Sequence, residues 1–150
     1  MSKADDAKQL FMEGANCAQA VFCVFAEEQG MDRELALKLS SGFGGGMGRM
    51  REVCGAVSGM IMAADLIFAK SDLKDKAAKD EHYALIQKLA GRFKEENGSI
   101  ICRELLGLPG QGGDTPVSEV RTAAYYKKRP CGELVAIAAR ILEEEIDSRG

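Results

Sequence analysis

Residues 40–68 read SSGFGGGMGRMREVCGAVSGMIMAADLIF. The first half cannot be regular structure, because five glycines fall between Gly42 and Gly48. Glycine at that density breaks helices and strands and opens the φ > 0 region. The second half reads as a helix over residues 52–68. Gly55, Gly59 and Ala63 recur every four positions and form a flat ridge on it, which lets a second backbone come close. The glycine run is then a tight turn that brings the helices before and after it together. Its N–H groups also allow a second reading, an anion nest built from Gly44, Gly45, Gly46 and Gly48 with Arg49 and Arg51 beside it.

Outward from this stretch the pattern stays helical. A helix over 4–13 places Ala7, Leu10 and Phe11 on one side. Asn16 caps a second, to residue 29, with Cys17, Val21, Val24 and Phe25 in line. Asp32 caps a third, to residue 39, with Leu35 and Leu39 four apart. A fifth, over 73–95, aligns Ala78, His82, Leu85, Leu89 and Phe93. Ser99 caps a short helix to residue 106. A Gly/Pro loop covers 107–116, and a short helical segment restarts at Val117. Pro130 opens a last helix to residue 147, faced by Leu134, Ile137, Ala138, Ile141 and Leu142. Alternating strand patterns are scarce. The expectation is an all-α, single-domain bundle of about five to seven helices over residues 1–150, with the Gly-rich loop before its central helix.

At 150 residues, 46% hydrophobic and 29% charged, the chain has enough apolar side chains for one folded domain. A net charge of −3 exerts no general pull on nucleic acid or anionic membrane. No stretch is apolar enough to span a bilayer, and the acidic N-terminus does not resemble a signal peptide. A cytoplasmic location is expected. So are an unidentified redox partner or small-molecule substrate, no nucleic acid and no membrane, with a homo-oligomer left open.

Five cysteines are an odd number, so they cannot all pair internally. Cys17 follows the cap Asn16, Cys54 follows the glycine loop, Cys102 follows the cap Ser99 and Cys131 follows Pro130. All four fall near helix N-termini, where orphan N–H groups and the helix dipole favour a thiolate. Arg49 and Arg51 precede Cys54, and Lys127, Lys128 and Arg129 precede Cys131. Cys54 has the fullest set of such features and is expected to be the most reactive thiol, with a lowered pKa. Cys23 faces away from Cys17 and reads as an incidental, half-buried thiol.

The stretches Asn16-Cys17-Ala18-Gln19-Ala20-Val21, Gly44 to Met50 and Cys54-Gly55-Ala56-Val57-Ser58-Gly59, followed by single Cys102 and Cys131, resemble the bacterial and archaeal C_GCAxxG_C_C family. That family is named for its cysteine motifs and assigned a redox role without a settled substrate. The resemblance covers nearly the whole chain. One departure is visible: the label's Gly-Cys-Ala-x-x-Gly is Cys-Gly-Ala-x-x-Gly here. By position, the resemblance points to Cys17, Cys54, Cys102 and Cys131.

Two chemistries suit four such cysteines. Thiol–disulfide or electron-transfer work needs an accessible low-pKa thiol and a resolving partner brought near by the fold, since there is no CxxC; three pairings are open. A zinc ion or iron–sulfur cluster held by the same four cysteines is the alternative, without the close CxxC pair such sites usually show. A non-catalytic helical binding protein is the third reading, and no cofactor is specified. The glycine loop matches neither the Walker nor the dinucleotide pattern. His82 reads as a hydrogen-bonded core residue. Tyr125-Tyr126-Lys127-Lys128-Arg129 and Glu143-Glu144-Glu145 read as solvated surface, and the methionines, Met47, Met50, Met60 and Met62 among them, as core filler.

Overall fold

A computed structural model describes residues 2–108 and 113–150, with the side chains of Lys127 and Lys128 outside the description. Among the described residues the chain is all-α, with eight helices and no strand. They are α1 (Lys3–Met12), α2 (Cys17–Ala26), α3 (Arg33–Ser40), α4 (Gly55–Phe68), α5 (Lys76–Asn97), α6 (Cys102–Leu106), α7 (Ala123–Lys128) and α8 (Cys131–Arg149). No described helix is long and apolar enough to cross a membrane.

The caps set the helix starts. Ser2, Asn16, Asp32, Asp75 and Thr122 each accept a backbone N–H from their own first turn. Asn16 and Gln19 form a full capping box. The core is made by α2 against α4, flanked by α1 and α8. The glycine ridge of α4 does what its spacing implies. A Cβ on Gly59 would stand 2.6 Å from the Ala18 carbonyl oxygen, and one on Gly55 3.0 Å from the Cys17 Cβ. Only bare backbone admits α2 at that distance. Phe11, Phe25, Met60, Phe93, Leu89 and Ile141 fill the interior.

Several expectations change. Helix α4 begins at Gly55, not at residue 52, because residues 51–54 run beside 100–103. Val53 pairs with Ile101 as an isolated antiparallel bridge, the Cys54 N–H donates to the Ile100 carbonyl and the Cys102 N–H to that of Glu52. No helix restarts at Val117. Arg49 donates to the Thr115 and Val117 carbonyls, and Val117 and Val120 stay exposed, so the segment has no apolar face to bury. Residues 109–112 of the expected Gly/Pro loop lie outside the described residues. Leu35 and Leu39 face outward, and α3 packs through Ala36 and Ser40. Glu145 is buried, ion-paired to Lys88 and Arg149, rather than solvated. Met47 and Met50 are exposed, while Met60 lies in the core.

Candidate functional site: a four-cysteine cavity

The glycine loop is one turn of left-handed helix. Gly45, Gly46, Met47, Gly48 and Arg49 all have φ between 61° and 69°, and the Gly48 N–H donates to the Gly44 carbonyl at 2.9 Å. L-residues pay roughly 1–2 kcal/mol each for that hand, which explains why three of the five are glycine. The Met50, Arg51 and Glu52 N–H groups bond back to the carbonyls of Met47, Gly45 and Gly46. These bonds, with that of Gly48, close the turn on itself. Gly46 has a second duty: a Cβ there would lie 2.6 Å from the Cys102 Cβ.

The loop's product is a placement of two guanidiniums. Arg51, also at positive φ, turns inward and is 7% exposed; its Nη1 donates to Cys102 Sγ at 3.6 Å and its Nη2 to Asp114 at 3.2 Å. Arg49 turns to the 113–119 segment, holding Asp114 at 3.2 Å. Asp114 is drawn below the usual carboxylate range by the Thr115 N–H and then by Arg51.

Cys17, Cys102 and Cys131 are each the first residue of a helix, α2, α6 and α8, and Cys54 is the residue before α4. The four helix starts converge. Cys17, Cys54, Cys102 and Cys131 all line one cavity of about 380 Å3, together with Gly44, Gly45, Gly46, Gly48, Arg49 and Arg51. Its far wall carries Arg121, Tyr125, Arg129 and Glu119. As a residue Cys17 is half-buried, and the other three are buried.

The sulfurs differ in ionisation. The neighbouring Cys131, and then burial, raises Cys17 well above its ordinary pKa, while Cys17 in turn lowers Cys131. Arg129, Arg51 and Arg121 add to the drop at Cys131. Of the two, Cys131 is therefore the thiol that ionises more readily and Cys17 the one that keeps its proton. Burial pushes Cys54 up to about 12, although the Ala56 and Val57 N–H groups of α4 point at its sulfur. Burial also raises Cys102, against the pull of Arg51. The expected low-pKa thiol is thus Cys131 and not Cys54: Arg51 reaches past Cys54 to Cys102, and desolvation outweighs the helix terminus.

Cys23 lies apart from the cavity. It is fully buried, not half-buried, and burial raises its pKa. His82 is also elsewhere, with Nε2 2.6 Å from Asp65 Oδ1. Arg129 and Tyr125 are cavity wall, not solvated surface; the Arg129 side chain is 7% exposed and holds Glu119 at 2.7 Å. Arg121 carried no signal in the sequence. It donates to the Phe11 and Ala15 carbonyls at 2.6 and 2.8 Å and stacks on the Phe11 ring, a role visible only once α1 ends beside α7. Among the described residues, no group of three or more His, Cys, Asp or Glu side chains is arranged to hold a metal ion, so the four-cysteine metal alternative finds no such site.

A protein of Archaeoglobus fulgidus, named "Uncharacterized protein", is 32% identical over 152 residues, covering 94% of this chain and 93% of its own length. No solved structure matches the chain. The family described as "Putative redox-active protein (C_GCAxxG_C_C)" matches residues 15–145, a span that holds all four cavity cysteines and the left-handed turn. This chain therefore belongs to the C_GCAxxG_C_C family.

Proposed function

We propose that the chain is a cytoplasmic thiol–disulfide redox protein in which Cys131 is the attacking thiolate and Cys17 the resolving thiol. The observation that carries this reading is the convergence of Cys17, Cys54, Cys102 and Cys131 on one cavity, where Cys17 and Cys131 shift each other's ionisation. Nucleophilic attack needs a thiolate, and three guanidiniums favour one at Cys131. Resolution needs a second thiol within reach, and Cys17 lines the same cavity.

The Cys131 thiolate attacks one sulfur of a substrate disulfide R–S–S–R. The substrate S–S bond breaks, R–S⁻ leaves and a Cys131–S–S–R bond forms. Cys131 then no longer bears charge, and the proton of Cys17 passes to the departing thiolate. The Cys17 sulfur attacks that of Cys131, forming the Cys17–Cys131 disulfide and expelling the second R–S⁻. Two electrons have passed from the cysteine pair to the substrate. A dithiol reductant restores the pair while becoming a disulfide itself. Cys54 and Cys102 stay protonated and close the wall around the reacting sulfurs.

The test uses pre-reduced protein and hydroxyethyl disulfide, a neutral probe. Both halves of the probe should appear as free thiol, and non-reducing peptide maps should show the Cys17–Cys131 disulfide. Cys17→Ser should stop at the mixed disulfide on Cys131. Absence of thiol release, or an oxidised chain whose disulfide omits Cys131, overturns the reading.

A further inference from the structure

The cavity's charge does not balance. Four arginines line it, Arg49, Arg51, Arg121 and Arg129, with one carboxylate, Glu119. Counting Asp114 and the Cys131 thiolate as well, the cations still outnumber the anions. Arg121 spends its hydrogen bonds on two neutral carbonyls, so among the described residues no ion pair cancels its charge. The N-termini of α2, α4 and α8 add partial positive charge from three directions. Arg51 is set deep in the wall, its side chain 93% buried, with Nη1 toward Cys102 and Nη2 toward Asp114. Leu105, Leu106, Leu134 and Pro116 add apolar surface to the lining. The whole is a small pocket that combines cationic, apolar and thiol lining.

Resting on the redox reading above, we infer that the substrate is a small anionic disulfide, with a short hydrocarbon body and a carboxylate held by Arg51 and Arg121. The carboxylate anchors the molecule while its disulfide lies on Cys131. The reaction is the exchange already written: the substrate is reduced to two thiols and the Cys17–Cys131 pair is oxidised.

The test compares three probes of different charge: 3,3′-dithiodipropionate (dianionic), hydroxyethyl disulfide (neutral) and cystamine (dicationic). Each rate is divided by that of the same probe with free mercaptoethanol. The dianion should lead the neutral probe by about tenfold, the worth of one charge-assisted hydrogen bond, and the dication should trail. Arg121→Gln and Arg51→Gln should bring the ratios towards one. The ratio is the informative quantity, because loss of an arginine also changes the Cys131 thiolate fraction and slows every probe alike. Calorimetric binding of 3,3′-thiodipropionate, a thioether that cannot be reduced, to the Cys131→Ser chain supplies a second readout. Equal ratios and no thioether binding overturn the inference and leave the redox reading intact. Thioether binding that Arg121→Gln abolishes, with no thiol released from any probe, keeps the anion site and removes the redox reading.

Discussion

Cys131 and Cys54 both stand at helix starts, yet their sulfurs respond in opposite directions. The difference lies in what faces each one. Cys131 has Cys17 beside it and the fields of Arg129, Arg51 and Arg121. Cys54 receives two backbone N–H groups but no cation among its leading influences, and burial takes it to about 12. A lowered pKa gives Cys131 a larger thiolate fraction than an ordinary thiol at any given pH, whereas Cys54 stays protonated until strongly alkaline pH. Alkylation by iodoacetamide, followed by peptide mass spectrometry across pH, should therefore label Cys131 with a midpoint below its ordinary value. Cys54 should remain unlabelled through pH 9, and Cys23 should lag with it, because burial raises that thiol as well. Cys17→Ala removes the neighbouring thiol and Arg129→Gln a cation, so each should move the Cys131 midpoint upward. First labelling at Cys54, or a midpoint unmoved by both changes, would contradict this assignment.

The left-handed turn is the element on which the site's cations depend, and its positions differ in what they tolerate. Gly42 has open space around it and no positive φ, so Gly42→Ala should be close to neutral. Gly46 combines φ +69 with a 2.6 Å approach to the Cys102 Cβ. Gly46→Ala should cost about 2–4 kcal/mol from strain and overlap together. For a chain of this size that is a fall in melting temperature of roughly 5–15 °C. Met47 is an L-residue at φ 68 and exposed, so Met47→Gly should leave the melting temperature unchanged or raise it. Calorimetry of the three variants checks the order, and a Gly46→Ala chain melting like the parent would show the turn to be a passive link. The glycine density announced a break in regular structure, and the i, i+4 ridge of Gly55 and Gly59 announced a close helix pair. The hand of the turn was not legible, because Met47, Arg49 and Arg51 have side chains that normally avoid it. At Arg49 and Arg51 the strain is held by ion pairs to Asp114, a residue far along the chain. In the same way the start of α4 was misjudged where pairing with 100–103, a tertiary event, consumed three residues of apparent helix.

At the scale of the molecule, Cys17 and Cys131 belong to opposite ends of the chain and meet only because α1, α2 and α8 pack together. Local signals put each cysteine at a helix start: a cap before Cys17, a glycine run before Cys54, a proline before Cys131. Nothing local said that the four starts point at one cavity, which is a property of how the helices cross. That arrangement has a thermodynamic consequence. Joining two distant thiols closes a loop of more than about 100 residues, worth roughly 4.7 kcal/mol in lost unfolded-chain entropy. The oxidised protein should then melt on the order of 10 °C above the reduced one. Linkage makes the effect reciprocal: whatever the disulfide adds to the stability of the fold, the fold adds to the stability of the disulfide. The reduced pair is correspondingly eager to become oxidised, which is the poise a donor of electrons to a substrate disulfide requires. Differential scanning calorimetry with and without dithiothreitol measures the difference directly. Cys17→Ser should erase it, since no Cys17–Cys131 bond can form, while Cys23→Ser should leave it in place. An oxidised form that melts at or below the reduced one would mean that the bond strains the packing of α2 against α8, and the pair would then hold its oxidised state too weakly to drive the exchange.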